Sequence, residues 1–138
     1  MKFDLYHETA IRVRYGETDQ MGYCYYGNYA QYFEVGRVEA LREIGMTYKK
    51  LEEQGVMLPV LNYEVSFKLP AKYDDLLRIK TQIKELSGSR LTFDYRVTNE
   101  TNQIIAEAST TLVFVSKKTM KPMAPPDEFL RIIQNYTT

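Results

Sequence analysis

One stretch of this chain, residues 27–44, has helical spacing and is apolar on nearly every side. One stripe at spacings of three and four comprises Tyr29, Phe33, Gly36, Ala40 and Ile44. Other sides carry Val35, Val38 and Leu41. A helix of about 18 residues is roughly 27 Å long, and with so little polar surface we expect a sheet to wrap around it. Gly36 would let a strand or a partner chain approach closely.

Glycine and polar residues predict where the helices end. Asn28 fits the N-cap of the long helix and Gly45 its C-terminal stop. The segment Met46–Gln54 predicts a short second helix or turn that returns the chain to the sheet. After a proline pair, Asp127–Tyr136 predicts a short terminal helix.

Five segments alternate apolar and polar residues, the pattern of strands with one buried face. They are Ile11–Tyr15, Val56–Leu69, Leu77–Ile83, Leu91–Val97 and Ile104–Val115. Pro59 interrupts the second segment and favours an edge strand or a bulge there. One long helix among successive antiparallel strands is an α+β architecture. With no repeat or linker in 138 residues, we expect a single domain, 1–138.

The charge balance and the scarcity of cysteine and histidine exclude several functions. The 18 basic and 18 acidic residues cancel, so no overall field attracts nucleic acid or an anionic membrane. The single Cys24 excludes an internal disulfide, and the single His7 excludes an ordinary His/Cys metal cluster or a Ser-His triad unless His7 itself serves. There is no apolar N-terminal signal segment and no run approaching 18 apolar residues. These features favour a cytoplasmic protein without nucleic-acid or membrane partners.

A loop rich in tyrosine and glycine joins the first strand to the long helix. The segment from Tyr15 to Phe33, Y-G-E-T-D-Q-M-G-Y-C-Y-Y-G-N-Y-A-Q-Y-F, contains Asp19. Its composition suits unusual backbone angles and a flat, semi-polar lining. Because it leads into a helix, unpaired amides at the positive end of the helix dipole should face whatever lies beside Asp19. A carboxylate beside such amides is an arrangement suited to hydrolysis.

Three motifs resemble the hotdog-fold acyl-CoA thioesterases of the 4-hydroxybenzoyl-CoA thioesterase and YbgC type. They are D-x-x-G at Asp19–Gly22, N-Y-x-x-Y-F-E at Asn28–Glu34, and P-A-x-Y-D-D-x-L at Pro70–Leu77. The resemblance covers most of the chain. It implies a five-stranded antiparallel sheet curled around the helix, acyl-CoA as substrate, and neither metal nor dissociable cofactor. It also implies a homodimer or homotetramer in which strands pair across the interface and each site is built from two chains.

The resemblance implies catalytic roles for Asp19 and the backbone of Tyr26. Asp19 would act as a general base on water or as a nucleophile forming a mixed anhydride; without the resemblance, Asp19 could equally cap a turn. The Tyr26 amide would bind the thioester oxygen. Many YbgC-type members carry His at or beside this point, so Tyr26 leaves Asp19 without an imidazole helper.

Three further loop and helix residues have alternative interpretations. Glu34 matches an acidic position of the family and could orient water or a loop amide, or it could pair with Arg37 at i, i+3. Glu17 is expected to be solvated. Cys24 is expected to be a small buried side chain rather than a nucleophile, because His7 is the one imidazole available and lies far off in sequence.

Coenzyme A carries phosphates, so a neutral chain must concentrate cations near its binding cleft. The candidates are Arg90, Lys84, Lys117, Lys118 and Lys121. The resemblance favours Arg90, near the turn between the third and fourth strands, and includes Gly22 in the substrate-binding loop. Tyr25, Tyr29 and Tyr32 could line the acyl channel or simply pack in the core.

Other functions stay open at this stage. A non-catalytic module could bind acyl-CoA or acyl carrier protein without turnover, and acyl carrier protein could equally present the substrate of an enzyme. The hydratase or dehydratase branch of the hotdog fold would require a catalytic histidine, for which only His7 is present. A dimerisation domain without a ligand is the remaining alternative.

Overall fold

Five strands form one antiparallel sheet in a computed structural model that describes residues 1–138. The strands are β1 (Lys2–Arg12), β3 (Val60–Phe67), β4 (Leu76–Ser87), β5 (Arg90–Thr98) and β6 (Ile104–Val113), and a separate short ribbon pairs β2 (Val56–Met57) with β7 (Val115–Ser116). The order across the large sheet is β1-β4-β5-β6-β3. The predicted α+β class and the break near Pro59, between β2 and β3, are confirmed.

The long helix α1 (Tyr29–Glu43) packs against β1 and β4. Two shorter helices follow in the chain, α2 (Tyr48–Glu53), which contacts β2, and α3 (Asp127–Ile133). Gly36 lets α1 approach β4 closely, because a Cβ at this position would stand 2.5 Å from Thr81 Oγ1 and 3.0 Å from Ile79 Cγ2. None of the three helices is both long and apolar enough to cross a lipid bilayer.

The sheet covers only part of α1. The buried face carries Tyr29, Tyr32, Phe33, Gly36, Arg37, Ala40 and Leu41. On the opposite face Glu34 is exposed and Val35 is 42% exposed. The predicted packing of the sheet against the long helix is confirmed, and in the single chain the opposite face of α1 is left uncovered.

The first strand begins and ends earlier than predicted. It runs over Lys2–Arg12, whereas Tyr15 belongs to a 3₁₀ turn and is exposed. The chain leaves the sheet at Val13, whose amide donates to Asp75 O at 2.9 Å and whose carbonyl accepts from Asp74 N at 2.9 Å. The apolar–polar alternation did not predict the first half of β1, because its inward face includes the polar residues His7 and Thr9, which are only half-buried.

The edge strand β3 has the predicted alternation but not the predicted burial. Tyr63, Phe67 and the following Leu69 are 38%, 47% and 41% exposed. The strand pairs with β6 alone, so its other edge is open. In the single chain, an apolar strand face and an unpaired edge therefore remain uncovered.

Candidate active site

A tight loop after β1 presents the Asp19 carboxylate. The Asp19 amide donates to Tyr23 O at 3.1 Å, and Gly22 N donates to Asp19 O at 3.0 Å. Gly22 has φ +86°, which favours glycine in this turn. Asp19 Oδ1 accepts from Met21 N at 2.9 Å, so Asp19 does cap a turn. Its second oxygen, Oδ2, accepts no hydrogen bond from the chain, and the residue is half-buried.

Asp19 lies in the wall of a mainly apolar pocket of about 500 Å³. The pocket is lined by Asp19, Met21, Tyr23, Cys24, Tyr26, Tyr29, Phe67, Lys68, Leu69 and Pro70. Aromatic rings form one side, with the Phe67 ring centroid 5.1 Å from Tyr29 and 6.4 Å from Tyr26. An ionisable group set among apolar side chains in a concavity is the usual form of a small-molecule site.

The first residue of the turn before α1 lines this pocket and has a free amide. Tyr26 opens the 3₁₀ turn 26–28, and its N–H donates no hydrogen bond within the chain. The Tyr25 ring packs directly against Gly27. A Cβ at position 27 would stand 2.6 Å from a carbon of this ring, so glycine is needed for the ring to lie there. Asn28 stands at the N-cap position of α1 as predicted, but its side chain accepts no helix amide; its Nδ2 donates to Glu17 O at 2.7 Å.

Glu17 is buried, so the prediction that it is solvated is wrong. Its carboxylate accepts from the Arg14 amide at 2.8 Å, the Arg14 guanidinium at 3.0 Å and the Tyr32 hydroxyl at 2.9 Å. Burial alone would raise the pKa of this carboxyl, but these hydrogen bonds outweigh it and hold the pKa below its usual value. Glu17 is therefore an ionised structural carboxylate behind the loop.

Cys24 is buried, as predicted. Its Sγ lies 3.4 Å from Tyr32 Oη, and burial raises the pKa of the thiol above its ordinary value. Burial likewise raises the pKa of the Tyr29 and Tyr32 hydroxyls, so all three groups are neutral near pH 7. The pocket wall around Asp19 is therefore uncharged apart from Lys68.

The structure does not bring every predicted site residue to this pocket. Glu34 is exposed and does not pair with Arg37, whose Nε instead donates to Tyr48 Oη at 3.1 Å. Tyr25 is exposed beside Tyr26, with ring centroids 4.7 Å apart. Four predicted site residues do not line the pocket: Gly22, Tyr25, Tyr32 and Glu34.

The predicted phosphate-binding cations also lie elsewhere in the single chain. Lys84 pairs with Asp94 at 3.1 Å, and Arg90 starts β5. The remaining candidates, Lys117, Lys118 and Lys121, are exposed and follow β7. The cation that does line the pocket is Lys68. The alternation of 56–69 assigned Lys68 to the solvent face, and Lys68 is indeed exposed. The amides of Lys68 and Leu69 both donate to Ile105 O, which forms a local bulge just after β3.

A second depression, of about 720 Å³, lies on the face of the sheet away from α1. Its charged side chains include an Arg96–Glu107 pair at 3.1 Å and a Lys80 ammonium 4.8 Å from the Tyr6 ring centroid. It contains neither Asp19 nor the start of a helix. The smaller pocket is therefore the better candidate for chemistry.

Comparisons with known proteins give a consistent result. Residues 13–133 match the family model described as the thioesterase-like superfamily. The acyl-CoA thioester hydrolase YbgC of Escherichia coli O157:H7 is 34% identical over 116 residues, 84% of this chain and 87% of that protein. The acyl-CoA thioesterase YbgC of Haemophilus influenzae is 34% identical over 119 residues, 86% of this chain and 87% of that protein.

A solved structure is similar over nearly the whole chain. The DHNA-CoA thioesterase of Staphylococcus aureus superposes with a TM-score of 0.91 at 31% identity, covering 95% of this chain and 90% of that one.

Proposed function

Since this chain belongs to the thioesterase-like superfamily and has the hotdog fold, we propose that it hydrolyses acyl-CoA thioesters to a free acid and coenzyme A at the Asp19 pocket. The observation that carries this proposal is the pairing of two free groups in one pocket wall. Asp19 Oδ2 has no hydrogen-bond donor from the chain, and the Tyr26 amide has no acceptor.

The two groups have complementary roles. The Tyr26 N–H donates to the thioester carbonyl oxygen as negative charge develops there, and a donor of this kind lowers the barrier by about 2.7–4 kcal/mol. Asp19 Oδ2 either removes a proton from an attacking water or attacks the carbonyl carbon itself. In both routes the C–S bond breaks and the thiolate of coenzyme A takes up a proton. In the nucleophilic route water then hydrolyses the mixed anhydride, which releases the free acid and restores the Asp19 carboxylate. The Met21 amide fixes Oδ1 and leaves Oδ2 without a donor from the chain.

A thiol-release assay across a panel of acyl-CoA substrates tests this function. Turnover with at least one acyl chain supports it, and binding without turnover would favour a non-catalytic module. Parallel assays with acyl carrier protein thioesters show which carrier the pocket accepts. No turnover with any acyl group on either carrier would overturn the proposal.

Lys68 supplies the positive charge at this pocket. Lys68→Ala is expected to raise KM for acyl-CoA by about fivefold to tenfold, roughly 1–1.4 kcal/mol, and to change kcat little, because an anionic carrier loses a charged donor. Steady-state kinetics at low salt measure this effect. Lys72→Ala, an exposed lysine outside the pocket wall, is the matched control. Equal KM values for Lys68→Ala and wild type would contradict this role.

The uncovered edge strand supports a homodimer formed through β3. Pairing two β3 strands would cover the open backbone edge and the exposed Leu61 and Tyr63 side chains. Glu34, Lys84 and Arg90 do not line this pocket in the single chain, so their predicted roles require that a second subunit bring them to it.

Charge on β3 is expected to separate the subunits. The double variant Leu61→Lys, Tyr63→Lys should sediment as a monomer at micromolar concentration, where wild type sediments as a dimer or tetramer, because like charges would face each other across the interface. Met120→Lys, at an exposed methionine outside β3, is the control. A monomeric wild type, or a double variant that keeps the mass of wild type, would refute the β3 interface.

A further inference from the structure

We propose that Glu17 is a positioning residue, which holds Asp19 and the Tyr26 amide at their mutual spacing without touching the substrate. This inference rests on the proposed function and adds a residue to it. Glu17 does not line the pocket, so its role would be exerted through the loop that it anchors.

The Glu17 side chain connects the end of β1 to α1. It is 8% exposed and receives three donors: the Arg14 amide, the Arg14 guanidinium and the Tyr32 hydroxyl. Arg14 lies just after β1, whereas Tyr32 lies in the first turn of α1. The carboxylate therefore fixes the loop against the helix whose preceding turn carries the Tyr26 amide.

The Glu17 backbone closes the same loop from the other side. Its carbonyl accepts from Tyr25 N at 2.8 Å and from Asn28 Nδ2 at 2.7 Å. The proposed oxyanion donor, the Tyr26 amide, is the next one along the chain from Tyr25. The proposed catalytic carboxylate, Asp19, is two residues from Glu17. One residue therefore sets the position of both reacting groups.

The groups around Glu17 indicate that its carboxylate neither donates nor accepts a proton in the reaction. They are Arg14 from its own loop, Tyr32 from α1, and Cys24 from the strand-like segment bridged to Thr18. Tyr32 and Cys24 are neutral because burial raises the pKa of each, whereas Glu17 is ionised because its donors lower its pKa. A group that stays ionised and is enclosed by donors has no proton to exchange near neutral pH.

Removing the carboxylate would leave the Tyr32 hydroxyl and the Arg14 amide without their acceptor. The loop would then shift to satisfy them elsewhere. A displacement of about 1 Å between reacting groups can cost about 10²-fold in rate. Glu17→Ala is accordingly expected to lower kcat by about tenfold to a hundredfold, with KM within about threefold of wild type.

Two matched variants separate positioning from general stability. Glu17→Gln keeps an oxygen that accepts from the Arg14 amide and Tyr32, and loses only the pairing with an exposed guanidinium, so its kcat should stay within about threefold of wild type. Glu107→Ala removes another arginine-paired carboxylate, on the far face of the sheet, and should leave kcat unchanged.

All rates are measured well below the melting temperature of each variant and are normalised to the folded fraction. A purely structural role would lower the melting temperature of Glu17→Ala but leave its normalised kcat at the wild-type value, which would overturn the proposal.

Amide hydrogen–deuterium exchange gives a readout that does not require activity. Glu17→Ala should speed exchange at Asp19 and Tyr25, whose amides are hydrogen-bonded within this loop, and leave β4 and β5 unchanged. If wild type and Asp19→Asn both lack turnover, the proposed function fails, and the exchange data alone then decide whether Glu17 orders the loop. Unchanged exchange at Asp19 and Tyr25 would refute the positioning role whether or not the enzyme is active.

Discussion

Asp19→Asn is expected to lower kcat by roughly 10²- to 10⁴-fold while the protein stays folded and still binds acyl-CoA. An asparagine keeps a side-chain oxygen that can accept from the Met21 amide, so the turn that Asp19 caps is preserved. It lacks the negative charge, which both the general-base and the nucleophilic route require. Steady-state thiol release gives kcat, and titration calorimetry with a non-hydrolysable thioether analogue gives binding.

Asp75→Asn is a closely matched control for this substitution. Asp75 also accepts a backbone amide, Lys72 N at 2.8 Å, in a neighbouring loop, but it does not line the pocket. Its replacement should leave kcat within about twofold of wild type. If Asp19→Asn also retained kcat within about fivefold, Asp19 would have neither catalytic role.

Gly36→Ala is expected to destabilise the fold by about 1–3 kcal/mol, the usual cost of overpacking a core. The added methyl would meet Thr81 Oγ1 at 2.5 Å and Ile79 Cγ2 at 3.0 Å, which forces α1 away from β4. Thr81 Oγ1 is buried and has no hydrogen-bond partner, so Thr81→Ala removes the nearer obstacle without breaking a hydrogen bond. Urea unfolding of the two single variants and the double variant measures the coupling.

The double variant should recover part of the stability lost in Gly36→Ala, so the two effects should not add. Gly16→Ala is the control, because a Cβ at Gly16 would have no atom within 4 Å. Strict additivity, or a Gly36→Ala protein as stable as wild type, would show that α1 and β4 are not in tight contact at this point.

The alternating pattern predicted the central strands correctly because the residues that cover their buried face belong to the same chain. In β4, for example, Leu77, Ile79, Thr81 and Ile83 are buried and the residues that alternate with them are more exposed. The same pattern gave the wrong burial for β3. Burial depends on what covers the strand, and in the single chain the Tyr63 ring centroid lies 6.1 Å from that of Phe33, but Tyr63 stays 38% exposed.

Local motifs predicted part of the candidate site. The loop preceding a helix, together with the family resemblance, indicated Asp19 and Tyr26, and both residues line one pocket; their catalytic roles stay predictions. Glu17 was missed because an isolated acidic residue is ordinarily solvated. Its partners, Arg14 at i−3 and Tyr32 on the following helix, were the available signal. Lys68 was missed because the bulge at Ile105 cannot be read from alternation.

The most direct test is a crystal structure of the Asp19→Asn protein with a hydrolysable acyl-CoA bound. The thioester is expected in the 500 Å³ pocket, with its carbonyl oxygen 2.7–3.1 Å from the Tyr26 nitrogen, the distance of an oxyanion donor. The side chain at position 19 should face the carbonyl carbon directly or across one water. A thioester bound on the far face of the sheet, or a carbonyl oxygen pointing away from Tyr26, would contradict the proposed site.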